Sequence, residues 1–345
     1  MPRAGPPLAF LGAILALVGC AAAPPAADTP ILARLVAEDV VYARGRMLDV
    51  YKPATDPDHR LPIVVLLHAC CGDRADLTKL AEAIAAEGVV VLNVGWGGFD
   101  ADGSFPESYE DVACAVRFAR AEGESYGADP RRVALVGWSD GALAGAVVAH
   151  AGDNFAVERC SAQEHSALPD AFVGVNGFYG WTVPVDISYV THRAARFFDG
   201  APVEQPQAWS DATPYTWLGR RLTMPSVLLV GATDPLRADA ERFDAALRRA
   251  GQLSRLLVLP PAGDQSLISV RTEEGRVVAR ETAAAARRSA RSSGDPHGRV
   301  DTHGRARVGR GSQEPGCVSA ASSPSLVSTA CRPLEGSAIV ILDGR

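Results

Sequence analysis

Short apolar runs alternate along this chain with stretches of helical character, and that alternation constrains the fold more than any other feature of the sequence. The runs lie at 47–51, 63–67, 89–92, 133–136, 172–175, 227–230 and 256–259. Most are continuously apolar, so they read as strands buried on both faces. Helical stretches fall between several of them, at 75–87, 109–121, 142–151 and 238–250, and Gly88 and Gly251 stand where a helix end calls for a left-handed residue. Strand and helix in alternation predict an α/β fold with a doubly wound, mainly parallel sheet.

Two segments break the rhythm. Residues 177–222 hold Trp181, Trp209, Trp217, Tyr179, Tyr189 and Tyr215 with several prolines, where a plain crossover needs one helix. They read either as a cap-like insertion lining a pocket or as aromatic side chains packing a long connection. From 291 to 345 the sequence is Arg, Ser, Gly and Pro without apolar period, apart from a strand-like run at 338–342. A low-complexity, disordered tail is expected there. An arginine-rich stretch without pattern is also what a shifted reading frame produces, and resequencing of the source DNA tests that hypothesis.

Composition narrows the function classes. Hydrophobic residues make up 47% of the 345 and charged residues 21%, which is ordinary for a globular protein. The net charge of -6 and the presence of only two lysines, Lys52 and Lys79, leave no basic field for a nucleic acid. The sequence has no CxxC, no HExxH and no Cys/His spacing suited to zinc, so neither a metal nor another cofactor is expected.

The pattern G-x-S-x-G occurs twice, around Ser125 and around Ser139. Its chemistry requires a strand, a sharp turn and a helix, because the serine must be lifted above the sheet while glycines two residues either side let strand and helix approach. Gly137-Trp138-Ser139-Asp140-Gly141 follows the run 133–136 and precedes small residues suited to a close-packed helix. Ser125 instead follows a helix and leads into the turn residues Gly127, Asp129 and Pro130. Ser139 is therefore the expected nucleophile.

With these residues the chain resembles the α/β-hydrolase serine esterases, of the carboxylesterase and dienelactone-hydrolase-like kind, over residues of about 45 to 270. His68-Ala69-Cys70-Cys71-Gly72 is similar to that family's histidine-glycine loop, although Ala69 departs from the usual glycine. The resemblance implies an oxyanion hole from the backbone N–H groups of Cys70 and Asp140, with Cys71 as a substitute for Cys70, and a structural role for His68. It places the acid at Asp234, after the run 227–230, while Asp239 and Asp244 fall within the next helix. The base should follow the last core strand, but there Asp264 or Gln265 stands where the family has histidine. His297 and His303 lie far off in the tail. Without a base a serine hydroxyl is a weak nucleophile, so two functions follow: an impaired hydrolase of carboxylic esters acting through an acyl-enzyme, or a degenerate hydrolase that binds ligands.

At the N-terminus, Arg3, an apolar stretch at 8–19 and Leu17-Val18-Gly19-Cys20 resemble a bacterial lipobox. Residues 1–19 then form a signal peptide, Cys20 carries lipid, 20–44 hold a tether and first strand region, and 45–290 form the hydrolase domain. The apolar stretch is shorter than the roughly 20 residues a spanning helix needs, so the expected partner is a lipid membrane reached through an anchor, in the bacterial cell envelope. An ordinary cleaved signal is the alternative. Six cysteines remain, and export permits disulfides. Cys114 with Cys160 is the first expectation, since each lies beside the helices flanking the nucleophile strand; Cys317 with Cys331 is a weaker one, and free thiols are the alternative.

Overall fold

The computed structural model describes residues 32–289, apart from 56, 70, 71, 100–102, 182–193, 222 and 261. The expected leader, the expected lipidation site Cys20, the expected tether, the tail with His297 and His303, and the expected Cys317–Cys331 pairing lie outside the described residues, as do Cys70 and Cys71.

The predicted runs all become strands of a single eight-stranded sheet. In chain order the elements are β1 (Ala33–Ala43), β2 (Arg46–Pro53), β3 (Leu61–Leu67), α1 (Thr78–Ala86), β4 (Val90–Val94), α2 (Glu107–Glu122), β5 (Ala128–Trp138), α3 (Asp140–Ala151) and β6 (Ala171–Val175). There follow α4 (Pro206–Asp211), β7 (Ser226–Gly231), α5 (Arg237–Arg249), β8 (Ser254–Leu259), α6 (Asp264–Ile268) and α7 (Glu273–Arg288). The strand order is β1-β2-β4-β3-β5-β6-β7-β8. β1 and β2 pair antiparallel and β2 joins β4 antiparallel; every other pairing is parallel.

Parallel strands bury both faces, which is why their sequences are continuously apolar. One face packs under α2, α3 and α5 through Ala113, Val116, Val147 and Phe243. The other packs under α1 and α7 through Leu80, Ile84, Val278 and Ala283. From β3 the chain runs to β4 on one side, and then returns to β5 on the other side of β3. The order reverses there, and in open α/β sheets the crevice at the carboxyl ends of such strands is where ligands bind. β5 ends at this crevice.

The segment between β6 and β7 both packs and walls a cavity. Phe197 lies 4.7 Å from Phe99 and 6.1 Å from Tyr109 of α2, ring centre to centre, so part of the insertion completes the core on the α2 face. Trp181 and Trp209 meet edge to face at 5.8 Å and line a cavity on the other side. Cys114 in α2 and Cys160, beyond α3, form a disulfide with Cα atoms 4.9 Å apart.

His150 is buried inside α3, with Nδ1–H donating to the Ala146 carbonyl at 2.7 Å. Burial pushes its pKa down, and the nearby Arg221 pushes the same way. His68 is also lowered by burial. A folded-state pKa below the unfolded one means that the unfolded chain takes up protons first as the pH falls. Stability contributed by these two histidines is complete above about pH 6.5 and is lost as the pH falls through their folded values. In urea melts between pH 7.5 and 5, wild type should lose stability on the acid side, and His150→Gln should flatten that slope. An unchanged slope in the variant would show that His150 is not a proton-linked group.

Candidate active site

Ser139 sits between β5 and α3 with φ +56° and ψ -120°, a region that side-chain-bearing residues rarely adopt. The surroundings enforce it. Ser139 N–H donates to the Val175 carbonyl of β6 at 2.9 Å, and its own carbonyl accepts from Ala142 N–H at 3.0 Å. A Cβ on Gly137 would lie 2.1 Å from the Gly141 carbonyl oxygen, and one on Gly141 would lie 2.5 Å from that of His68. The two glycines of the motif are thus required because strand, turn and helix backbones touch. Gly137→Ala is expected to cost about 3 kcal/mol or more of stability by overpacking. Gly263→Ala, where the added carbon meets nothing within 4 Å, is the matched control and should be near neutral in the same chemical-denaturation series. Equal midpoints for the two variants would refute the tight elbow.

Ser125 is placed differently. It lies in a single 3₁₀ turn, 123–126, ahead of left-handed Gly127, and its exposed hydroxyl donates to the Glu122 carbonyl at 2.7 Å. No strand delivers it and no helix follows it.

His68 is locked into the loop after β3. Its Nδ1–H donates to the Ala69 carbonyl at 2.7 Å, Nε2 accepts from Trp96 N–H at 3.3 Å, and Trp96 Nε1–H donates to the His68 carbonyl at 3.1 Å. Both ring nitrogens are committed, and burial keeps the ring neutral. Asp140 is the first residue of α3 and is buried; its expected oxyanion partner, Cys70, lies outside the described residues.

The expected acid, Asp234, and Asp264, one of the two residues expected where the base should stand, come together through Asn176. Asp234 follows β7; one carboxylate oxygen accepts from Leu236 N–H at 2.8 Å and the other from Asn176 Nδ2 at 2.7 Å. Asn176 Nδ2 also donates to Asp264 Oδ1 at 3.0 Å, and Trp138 Nε1–H donates to the same oxygen at 2.6 Å. A hydrogen-bonded chain therefore runs from Asp234 through Asn176 and Asp264 to the residue preceding the nucleophile. Burial raises the Asp264 pKa and the Asp234 charge adds to this, while the bonds from Trp138 and Asn176 oppose it. Gln265, one residue on in α6, is exposed. Asp239 and Asp244 lie in α5, Asp239 accepting from Tyr179 N–H and Asp244 from Ser254, and neither bonds to this chain of residues. Among the described residues, no histidine hydrogen-bonds to Asp234 or Asp264, and no group of three or more His, Cys, Asp or Glu side chains is placed to hold a metal ion.

The sequence does not mark Asn176 as a site residue. Its one local mark is that it ends an apolar strand just before a glycine; its left-handed φ of +48° and its bridging role appear only in three dimensions.

The solved structures that this chain resembles include a thermophilic esterase from Thermogutta terrifontis with butyrate bound, at 19% identity and a TM-score of 0.56 over 73% of this chain and 92% of that one. A bacterial heroin esterase matches at 19% identity and a TM-score of 0.58, covering 76% and 85%. A hyperthermophilic esterase from the archaeon Pyrobaculum calidifontis matches at 19% and 0.60, covering 75% and 86%. No curated protein sequence matches the chain. Sheet order and elbow together define an α/β-hydrolase fold. The family model BD-FAE matches residues 48–240, more than half of the chain, and the chain belongs to that family. The matched stretch contains His68, Ser139 and Asp234 and ends before Asp264.

Proposed function

We propose that the chain hydrolyses carboxylic esters, or related acyl compounds, by forming an acyl-enzyme on Ser139. The observation that carries this reading is the left-handed backbone at Ser139, held at the carboxyl end of β5 by glycines that admit no Cβ. In this reading the ester carbonyl accepts hydrogen bonds from the Cys70 and Asp140 N–H groups, each worth about 3 kcal/mol in the transition state. Attack by Oγ gives a tetrahedral intermediate, the alcohol leaves with a proton, and water then releases the acid. Asp234 is the acid that would orient an imidazole. With Asp264 in the imidazole's position the proton from Oγ lacks an efficient acceptor, and turnover is slow: a site without one triad member retains about 10³- to 10⁴-fold catalysis over water.

Esterases among the resembling structures support an ester substrate, and the family match over the elbow supports the same reading. That no described histidine hydrogen-bonds to Asp234 or Asp264 favours a second reading, a ligand-binding protein on a hydrolase scaffold. Initial rates on short-chain p-nitrophenyl esters separate the two. A serine mechanism predicts that Ser139→Ala is slower than wild type; equal rates leave only ligand binding.

For location, a lipid-anchored position in the bacterial cell envelope is our reading of Leu17-Val18-Gly19-Cys20. The Cys114–Cys160 disulfide suits an oxidising compartment. No described helix is long and apolar enough to cross a membrane. Labelling with a radioactive fatty acid tests the anchor, and an unlipidated mature chain refutes it.

A further inference from the structure

A concave site lies between the β6–β7 insertion and α5, with a volume of about 700 Å³. That is within the range of about 300 to 1,000 Å³ typical of small-molecule sites. Trp181, Trp209 and Tyr215 line it, and neither Ser139 nor Asp264 does. The Tyr215 ring stands edge-on to Phe243 of α5 at 5.5 Å and lies against bare Gly180, where an added Cβ would meet ring carbons at 3.5 Å. Tyr215, at the rim, is held by packing rather than loose.

The polar groups lining this cavity are unequal in charge. Among the described residues, Asp239 is its one carboxylate, against the guanidiniums of Arg242 and Arg249. Asp239 is buried and already engaged, one oxygen accepting from Tyr179 N–H at 2.5 Å and the other from Arg242 at 2.9 Å. Arg249 has no ion pair among the described residues, whereas its neighbour Arg248 bonds Asp244. Seven positions apart on α5, Arg242 and Arg249 project from one helix face, two turns from each other. The Tyr215 hydroxyl, pushed up to about 12 by burial, stays protonated and adds no negative charge. Aromatic walls favour a planar apolar body, and an uncommitted guanidinium at the rim favours a carboxylate or sulfonate on it.

We propose that this cleft binds a small planar aromatic anion, at a site separate from Ser139 and independent of whether that serine reacts. The probe is 2-naphthoate, titrated calorimetrically into the full-length protein at low ionic strength, with neutral 2-naphthamide as its isostere. The acid should bind at least about tenfold more tightly than the amide, a discrimination typical of one charge-assisted contact. Arg249→Gln should abolish that preference, Arg249→Lys should restore part of it, and Arg248→Gln should leave it intact. Both positions are exposed on α5, and matching thermal melts will show that the variants fold. Equal binding of acid and amide overturns the proposal. So does absence of binding up to millimolar ligand, an acid preference that survives Arg249→Gln, or an equal loss in Arg248→Gln, which would reveal only a general charge effect.

Discussion

Replacing Asp264 with histidine is expected to raise kcat/KM on short p-nitrophenyl esters by about 10²- to 10⁴-fold, the usual contribution of a positioned general base. The geometry explains the choice of residue. The Asp264 carboxyl already reaches Trp138, next to the nucleophile, and shares Asn176 with Asp234. An imidazole there would join the hydrogen-bonded chain that links Trp138, the residue before the nucleophile, through Asn176 to Asp234. A carboxylate in the same place is a poor base for a serine hydroxyl even with its pKa raised by burial, because the gap between the two proton affinities remains large. Gln265→His is the companion variant; since Gln265 is exposed, its gain should be smaller. If neither variant gains, elbow, acid and oxyanion loop do not form a working site, and the ligand-binding reading stands.

Breaking the disulfide should have the largest effect on stability. Cys114 and Cys160 are 46 residues apart, and closing a loop of that length in the unfolded chain is worth about 4 kcal/mol. Cys114 is fully buried and Cys160 nearly so, with Arg117 alongside, so the unpaired variants also lose packing against α2. Guanidinium unfolding of Cys114→Ala/Cys160→Ala should show a loss of that size relative to the oxidised protein, and dithiothreitol should bring wild type toward the variant. A difference under about 1 kcal/mol would mean that the cross-link adds nothing to the fold.

Much of the fold was legible because buried parallel strands are continuously apolar, as 63–67 and 227–230 show. β1 shows in the sequence only as a first strand region: it is an edge strand that exposes Leu35, Val36 and Val41, and Glu38 and Asp39 split its apolar residues into 35–37 and 40–43 where its register shifts. β5 begins at Ala128, five residues ahead of the run 133–136: Ala128 pairs with Leu61 of β3, while Asp129, Arg131 and Arg132 keep this start from reading as an apolar run. In the candidate site, Ser139 and Asp234 are each marked locally by a strand-turn pattern. Asn176 is not, since its partners stand 58 and 88 residues away. The 177–222 segment admitted two readings and does both things, its phenylalanines joining the core while Trp181, Trp209 and Tyr215 wall a cleft.

The most direct test of an acylating serine at position 139 is covalent. Asp264→His protein, incubated with a p-nitrophenyl alkylphosphonate and digested, should carry one phosphonyl group on the peptide containing Ser139, with release of one equivalent of p-nitrophenol, and Ser139→Ala in the same background should carry none. A phosphonyl group on any other residue, or unmodified Ser139 in protein that is folded and hydrolyses esters, would contradict it.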